Sequence, residues 1–246
     1  MSTETEKLAE ILRPKRRIAV LTGAGISTES GIPDFRSPTG LYAAVTSEKV
    51  FSIGFFEEHP AEFYRVIAPV YRQILTAEPN AGHKALAALE SLGKEVAIAT
   101  QNIDDLHRKA GSRVVHELHG SMRTLTCSEC GRLYESHSFE ANLQTGEIPR
   151  CGCGGVLKPD ITFFGEALPH DAFLAGQIAF ESADLVLALG TSLGVYPAAG
   201  LPTLRPANTP LVIVNQTPTA LDEQAALVIH APLGDTLQAA LEQLRR

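Results

Sequence analysis

The feature that most constrains the fold is a set of short apolar runs, each of which ends in small or polar residues. Helical patterns lie between successive runs. Strands that alternate with helices pair in parallel, because each helix returns the chain to the same end of the sheet. The pattern therefore predicts an α/β fold with a parallel sheet and helices on both faces. The runs are residues 18–21, 96–99, 185–189 and 211–214.

Shorter patterns complete this prediction. Two further strands are expected at residues 114–118 and 224–229. Residues 22–38 are rich in Gly, Ser, Thr and Pro and are expected to be mostly loop. Helices are expected at residues 3–12, 60–75, 81–92, 104–110 and 234–246, the last with Asp235 near its N-cap.

Composition limits the class of protein. Of 246 residues, 44% are hydrophobic and 20% charged, as in folded globular proteins. The 21 Lys and Arg against 28 Asp and Glu give a net charge of −7, which disfavours nucleic-acid binding because phosphate contacts need a basic face. No apolar run approaches the roughly 20 residues that span a bilayer. Residues 1–17 lack the apolar core of a signal peptide, so we expect a cytoplasmic protein.

All four cysteines lie within one short segment. Cys127 and Cys130 form one close pair, and Cys151 and Cys153 form a second pair after 20 intervening residues. Two such pairs can bind one Zn²⁺ tetrahedrally, and a site filled by four sulfurs is structural and not catalytic. Four buried free thiols are the alternative. The segment also breaks the alternation of strands and helices.

This break predicts how the chain is divided. We expect a small inserted zinc lobe at about residues 122–158. The large part would then consist of residues 1–121 and 159–246.

A glycine-rich segment follows the first apolar run. Gly23, Ala24, Gly25 and Ser27 are small residues at a strand-to-helix turn, where backbone N–H groups can approach a pyrophosphate. The common dinucleotide-binding fingerprint has a third glycine where this chain has Thr28. By itself the segment favours nucleotide binding no more than a structural turn.

The next loop strengthens the case for a nucleotide. Asp34, Phe35 and Arg36 place a carboxylate, an aromatic ring and a guanidinium side by side. Arg36 could neutralise a phosphate, and Phe35 could cover a sugar or a ring. A surface loop with a local Asp–Arg pair is the alternative.

Polar residues also follow later apolar runs. Gln101, Asn102 and Asp104 come directly after residues 96–99. Ligands of open parallel sheets bind beyond the carboxyl ends of the strands, so these side chains should project into that crevice. Helix capping by Asn102 or Asp104 is the alternative. The two later runs are followed by Gly190, Thr191, Ser192, Asn215 and Gln216.

His119 comes just after the strand predicted at residues 114–118. A histidine at a strand end can act as a general base near neutral pH. The chain has eight histidines, so a structural role is the alternative. His116 lies three residues earlier on the same predicted strand and should face the opposite side, which makes it the natural control.

Taken together, these motifs resemble the sirtuin family. The resemblance extends over about residues 8–245, and the order of the motifs is specific to the family. It implies a Rossmann-like large part and a small zinc lobe, with NAD and a peptide meeting in the cleft between them. Other matching segments are residues 163–166, 190–193 and 195–198.

The resemblance implies NAD-dependent removal of acetyl groups from protein lysines. NAD is then a co-substrate, and one structural Zn²⁺ is bound by the four cysteines. The acetyl oxygen attacks the nicotinamide ribose as nicotinamide leaves, and His119 acts as base on the ribose hydroxyls. The products are free lysine, nicotinamide and 2′-O-acetyl-ADP-ribose. The expected partner is an acetylated protein bound as an extended strand, without a membrane or nucleic acid, and the enzyme is expected to be a monomer.

The same resemblance implies roles for individual residues. Asn102 holds a water or a ribose hydroxyl near the reacting carbon, and Gln101 contacts the nicotinamide ribose. Ile103 and Asp104 hold the carboxamide of nicotinamide. Thr191, Ser192 and Asn215 serve the adenosine half. The other residues expected to bind NAD are Gly23, Ala24, Gly25, Ser27, Thr28, Asp34, Phe35, Arg36, Gly190 and Gln216.

Peptide and acyl recognition follow from the same resemblance. Family members that prefer succinyl or malonyl groups have a Tyr and an Arg at the positions of Ile67 and Val70. Both positions are apolar here, so we expect a preference for acetyl or other uncharged acyl groups. The residues expected to line the peptide are Phe163, Phe164, Gly165, Glu166, Leu193, Val195 and Tyr196.

Three other functions remain open at this point. A mono-ADP-ribosyltransferase breaks the same bond of NAD, and sequence alone separates it poorly from a deacetylase. A non-catalytic zinc-bearing binding module would release no nicotinamide. A hydride-transferring dehydrogenase is disfavoured by Thr28 and by the cysteine segment.

Overall fold

The computed structural model describes residues 2–34 and 48–245. Eight α-helices and nine strands lie in these residues. The helices are α1 (Ser2–Leu12), α2 (Ile53–Glu58), α3 (Pro60–Thr76), α4 (Ala81–Ser91), α5 (Leu106–Lys109), α6 (Glu140–Thr145), α7 (His170–Glu181) and α8 (Leu233–Leu244). The strands are β1 (Arg17–Thr22), β2 (Glu95–Thr100), β3 (Val114–Glu117), β4 (Gly120–Cys127), β5 (Leu133–Glu135), β6 (Leu157–Ile161), β7 (Leu185–Leu189), β8 (Leu211–Val214) and β9 (Leu227–Ile229).

Six of the strands form one parallel sheet in the order β3-β2-β1-β7-β8-β9. The chain starts in the middle at β1, moves outward to β3, and returns to the other side of β1 with β7. The strand order therefore reverses between β1 and β7, which is where open parallel sheets bind their ligands. This doubly wound arrangement confirms the predicted parallel α/β fold.

Both faces of this sheet are covered by helices. On one face, Leu86 of α4 and Leu237 of α8 pack on the sheet in one apolar cluster. On the other face, Phe180 of α7 and Leu201 belong to a second cluster. Every residue of β7 is buried, as expected for a strand covered on both sides, and this explains its continuous apolar sequence.

A separate antiparallel sheet, with strand order β5-β4-β6, holds the cysteine segment. We call it the small sheet. It begins at Gly120 and ends at Ile161, slightly outside the lobe expected at residues 122–158. Its strands contain no continuous apolar run, so the sequence pattern did not predict them. The division of the chain at those boundaries stays a prediction.

A third apolar cluster joins the small sheet to α3. It contains Ile67 and Val70 from α3, Leu157 from β6, and Phe163. The Tyr64 hydroxyl also donates a hydrogen bond to the Leu157 carbonyl. The small sheet is therefore tied to the rest of the chain through α3.

Several predicted elements differ at their ends. The helix expected from residue 104 begins at Leu106, because the Asp104 carboxylate accepts a hydrogen bond from the Leu106 amide (2.9 Å). The strand expected at residues 224–229 is limited to β9, since Asp222–Gln224 forms a 3₁₀ turn. The last helix follows Pro232 and has Asp235 in its first turn, not at its N-cap. No helix in the described ranges is both long and apolar enough to cross a membrane.

Candidate active site

The turns that follow β1 and β7 pack backbone against backbone. The Gly25 amide donates to the Gly190 carbonyl (2.9 Å), and the Gly23 amide donates to the Leu189 carbonyl (3.2 Å). A Cβ on Gly25 would lie 2.8 Å from the Gly190 oxygen, and one on Gly190 would lie 2.4 Å from the Ile26 nitrogen. These glycines are therefore required by the close approach of the two turns at the reversal point of the sheet.

Asn102 lies at the centre of a buried hydrogen-bond network. Its side-chain amide donates to the Gly23 carbonyl and to the Ser27 hydroxyl, both at 3.1 Å. Ser27 in turn donates to the Asp104 carboxylate (2.6 Å). Burial raises the pKa of Asp104, and the Ser27 hydrogen bond opposes that shift. The structure thus brings Gly23, Ser27, Asn102 and Asp104 together, as the strand-end pattern predicted.

Two threonines and a histidine form hydrogen bonds next to this network, and sequence analysis did not predict them. Thr22 ends β1 and donates to the hydroxyl of Thr100, which ends β2 (2.8 Å). Thr100 also accepts a hydrogen bond from the Asn102 amide (3.0 Å). The His107 Nε2 atom lies 3.0 Å from the Thr22 hydroxyl. A threonine at the end of two adjacent apolar runs was the available signal.

His119 lies beside the same segment. Its Nδ1 donates to the Gln101 carbonyl (3.0 Å), because a carbonyl oxygen can only accept. Nε2 is therefore left unprotonated, as a general base requires. Burial lowers the pKa of His119, and the hydrogen bond to Gln101 offsets part of the shift. The imidazole is thus mostly neutral at pH 7.

The strand alternation used to compare His116 with His119 does not extend to His119. β3 ends at Glu117, so His119 is not on the strand that carries His116. The alternation of side chains along a strand therefore does not apply to the pair. His116 lines a separate groove of about 530 Å³ at the other end of the sheet, with Arg17, Val96 and Ile178. It remains a valid control because it is outside the network.

The residues after β7 and β8 extend the site. Thr191 is buried, and its hydroxyl accepts a hydrogen bond from the Gln101 amide (3.2 Å). Asn215 follows β8, and its side chain donates to the Thr217 carbonyl (2.7 Å). His230 follows the adjacent β9 and donates from Nδ1 to the Asn215 carbonyl (2.8 Å). His230 was missed, although the same strand-end pattern applies to it.

The remaining NAD candidates in the described residues are exposed or half-buried. Thr28 is exposed and donates to the Gly25 carbonyl (3.0 Å). Ser192 and Gln216 are exposed, and Ala24, Ile103 and Asp34 are half-buried. Phe35 and Arg36 lie outside the described residues.

The four cysteines converge at one end of the small sheet. Their Sγ atoms all lie within 4.8 Å of one another. Two Sγ–Sγ distances, Cys127–Cys153 and Cys130–Cys151, are 3.6 Å. Tetrahedral Zn–S bonds of about 2.3 Å place the sulfurs roughly 3.8 Å apart. All four thiols are free, so the donor set fits one Zn²⁺ with no position left for water.

The two segments expected to line the peptide differ in exposure. Phe163 is buried beside Phe56 and Phe63, whereas Phe164 is exposed. Glu166 accepts a hydrogen bond from the Phe163 amide (2.8 Å) and forms an ion pair with Lys158 (3.0 Å).

The other segment begins at a buried residue. Leu193 is packed in the interior, Val195 is half-buried and Tyr196 is 73% exposed. Gly165 in the first segment has a φ of 95°, which favours glycine. Each segment therefore contains one exposed aromatic ring and one buried residue: Phe164 with Phe163 in the first segment, and Tyr196 with Leu193 in the second.

Ile67 and Val70 lie one turn apart on α3. Both are buried in the third cluster, which also contains Phe163. Neither position offers a group that could pair with an acidic acyl chain.

Comparisons with known proteins agree with this geometry. The sequence matches the Sir2 family over residues 23–197. A relative from Sulfolobus acidocaldarius, named NAD-dependent protein deacetylase, is 47% identical over 229 residues, which cover 92% of this chain and 90% of the relative.

Two solved structures share the fold. A Sir2 structure with a p53 peptide and NAD⁺ has a TM-score of 0.89 and 40% sequence identity, and the match covers 97% of this chain and 98% of the other chain. A Sir2 variant with a deacetylated p53 peptide and 3′-O-acetyl-ADP-ribose has a TM-score of 0.92 and 40% identity, and covers 98% of each chain. The chain therefore belongs to the Sir2 family, the sirtuins.

Proposed function

We propose that this chain is an NAD-dependent protein lysine deacetylase in which His119 is the general base. The observation that carries the proposal is the hydrogen bond from His119 Nδ1 to the Gln101 carbonyl. It leaves Nε2 of the neutral imidazole unprotonated at the carboxyl ends of the strands, beside the segment that carries Gln101 and Asn102. The relative named above is an NAD-dependent protein deacetylase, and the two structures hold a p53 peptide with NAD⁺ and a deacetylated p53 peptide with 3′-O-acetyl-ADP-ribose.

NAD is the co-substrate of this reaction: it supplies the ADP-ribose that accepts the acetyl group, and nicotinamide is released. The acetyl oxygen would bond to the ribose carbon as nicotinamide leaves it. His119 would then accept the proton of a ribose hydroxyl, so that this oxygen can attack the former acetyl carbon, and water would release free lysine and O-acetyl-ADP-ribose. A general base at such a step contributes about 10²–10⁴-fold to the rate. Asn102 and Gln101 orient the ribose, and Asp104 and Ile103 hold the carboxamide.

The buried carboxyl of Asp104 suits this role. Burial raises its pKa, and its oxygens can accept hydrogen bonds from the amide group of the carboxamide. Thr191, Ser192 and Asn215 serve the adenosine half, and Gln216 is a further NAD contact. Gly23, Ala24, Gly25, Ser27, Thr28, Gly190 and Asp34, with Phe35 and Arg36, contact the rest of NAD.

The four cysteines bind one structural Zn²⁺. Because all four sulfurs would be ligands, the metal takes no part in the chemistry. It stabilises the small sheet, whose first strand starts directly after His119.

The acetylated peptide binds as an extended strand between the segments of Phe163–Glu166 and Leu193–Tyr196. Main-chain pairing of this kind gives affinity with little sequence specificity. Ile67 and Val70 lie in the apolar cluster that contains Phe163, so the acyl pocket disfavours succinyl and malonyl groups.

We also propose a cytoplasmic location and a monomeric state. Four free thiols gathered for a metal are typical of a reducing compartment, which supports a cytoplasmic location. A monomer is expected, and sedimentation or light scattering would test it.

Mass spectrometry of one reaction tests the main proposal. The enzyme is incubated with NAD and an equimolar pair of acetyl-lysine and succinyl-lysine peptides. We expect loss of acetyl, with equal amounts of nicotinamide and O-acetyl-ADP-ribose. Faster loss of succinyl would keep the deacylase and overturn the interpretation of Ile67 and Val70.

The same spectra distinguish the alternatives. ADP-ribose attached to protein, with nicotinamide release, would indicate a mono-ADP-ribosyltransferase. An intact NAD pool would indicate a non-catalytic zinc-bearing module. A His119→Ala sample is the matched control for spontaneous NAD hydrolysis.

A further inference from the structure

Asp105 adopts an unusual backbone conformation next to the candidate nicotinamide site. Its φ is 64°, and among the described residues only Leu193 shares a positive φ without being glycine. Asp tolerates this region better than most residues, although glycine adopts it without strain. Asp105 directly follows Asp104, so its conformation sets the end of the segment that carries Gln101, Asn102 and Asp104.

The local sequence does not account for this conformation. Asp105 occupies the N-cap of α5, yet its side chain makes no capping hydrogen bond. The carboxylate of Asp104 accepts from the Leu106 amide instead. The Asp105 carboxylate accepts a hydrogen bond from Arg123, which lies on β4 of the small sheet.

Arg123 also binds a second acidic residue. Its two terminal nitrogens donate to the two carboxylate oxygens of Glu117, in the forked geometry that suits a guanidinium. Glu117 ends β3, two residues before His119. The Arg108 guanidinium lies 3.9 Å from the same Glu117 oxygen that Arg123 Nη2 binds, so two cations lie near two carboxylates. Glu117 is largely buried, with a side chain 14% exposed.

We propose that Arg123 is a positioning residue of the active site: by binding Asp105 and Glu117 together, it fixes the Gln101–Asp105 segment relative to the His119 turn. One guanidinium thus links the residues that hold nicotinamide to the residue that accepts the proton. The link originates on the small sheet, so it makes the geometry of the chemistry depend on that sheet. This inference rests on the proposed deacetylase and assigns a new role within its site.

Removal of the guanidinium tests the link. In Arg123→Ala, we expect kcat to fall about 10-fold, since sub-ångström misplacement of catalytic groups lowers the rate strongly. The KM for the acetylated peptide should stay within about 2-fold, because Arg123 is outside the peptide segments. Arg113→Ala is the matched control: it removes an exposed guanidinium that pairs with Glu90, far from the site, and should behave as wild type.

A second substitution separates positioning from general loss of structure. Asp105→Gly still adopts the observed φ but removes the carboxylate that Arg123 binds, so it breaks the same link. We therefore expect Asp105→Gly to lower kcat about as much as Arg123→Ala, and the double variant to stay within about 3-fold of either single variant. An Asp105→Gly variant with the wild-type kcat, or a double variant whose loss of kcat is the product of the two single losses, would overturn the proposal. If Arg123→Ala fails to fold, Arg123→Lys, which cannot bind both carboxylates with a fork, takes its place in the same comparison.

Hydrogen exchange keeps this test independent of the proposed reaction. In Arg123→Ala, amides at residues 101–106 should exchange faster, those of β7 should not change, and the double variant should exchange like Arg123→Ala. Unchanged exchange at residues 101–106 would contradict the positioning role even if the enzyme is active. Faster exchange there in Arg123→Ala, together with a wild-type enzyme that consumes no NAD, would support the link and refute the deacetylase.

Discussion

The large parallel sheet and the small sheet are held together by different means. Every residue of β7 is buried between two apolar clusters, and the neighbouring strands are nearly as well covered. No residue of β5 is fully buried, and the small sheet shares its apolar cluster with α3. Two of its buried core members are Cys127 and Cys151, which are also predicted metal ligands. The large sheet is thus held by hydrophobic burial, whereas we expect the small sheet to need a metal as well.

The two sheets meet at the candidate active site. β4 starts at Gly120, directly after His119, and ends at Cys127, so a single strand connects the proposed base to the zinc ligands. Gly120 has a φ of 72°, and a Cβ at this position would lie 2.0 Å from the Asp160 carbonyl oxygen. The strand therefore enters the small sheet in close contact with β6. Disturbance of the metal should reach the chemistry along this strand.

Zinc removal should cause the largest difference in stability between the two sheets. Structural Zn²⁺ binds zinc-finger peptides with about 10–16 kcal/mol, and that energy is folding energy. After exhaustive chelation we expect hydrogen-exchange protection to be lost across the small sheet and retained in β1, β7 and β8. Deacetylation should be nearly abolished and should return when Zn²⁺ is added. A verified metal-free sample with full activity would contradict this contrast.

His119→Ala should remove the chemistry and leave both sheets intact. We expect kcat/KM to fall about 10²–10⁴-fold, since the general base is lost. Zinc content and thermal unfolding should match wild type. His116→Ala should keep most activity, because His116 lies outside the hydrogen-bond network. Equal losses in the two variants would show that the base is assigned wrongly.

Replacement of one buried leucine in each core should destabilise only the sheet that belongs to that core. Leu187 in β7 and Leu143 in α6 are both fully buried, but in different clusters. Leu187→Ala should lower the free energy of unfolding by about 2–5 kcal/mol without faster zinc release. Leu143→Ala should speed zinc release to a chelator and change the unfolding of the large sheet little. Urea denaturation and a colorimetric zinc assay would measure both, and identical behaviour would refute independent cores.

Mild acid should destabilise the large sheet first. Burial lowers the pKa of His83 to about 4 and, with the nearby His83, that of His107 to about 3. Each unfolded histidine has a pKa of about 6.5. Below about pH 6.5 the unfolded chain binds protons that the folded chain does not, so stability falls by up to roughly 1.4 kcal/mol per pH unit for each histidine.

Urea titrations at pH 7, 6 and 5 would measure this loss. Above pH 6.5 the pair contributes no pH dependence, since it is neutral in both states. His59→Ala, which removes an exposed histidine, should keep the wild-type slope. A stability that is flat between pH 7 and 5 would show that His83 and His107 take up protons in the folded protein.

The sequence predicted much of the site because most of it follows apolar strands. Gln101, Asn102, Asp104 and Thr191 come directly after such runs and are brought together in the structure. Arg123 and His107 were not predicted. Their partners are Asp105, Glu117 and Thr22, and only the pairing of strands brings these groups within reach.

The sequence alone determined the parallel sheet, and it predicted the ligand-binding edge and the four cysteine ligands. These features depend on local patterns: apolar runs of strand length, small residues at their ends, and the spacing of thiols. Tertiary structure alone decided that His119 leaves its strand and donates from Nδ1, that Gly25 packs on Gly190, and that Ile67 shares a core with the small sheet. Each of these depends on contacts between segments far apart in the chain, which no periodicity encodes.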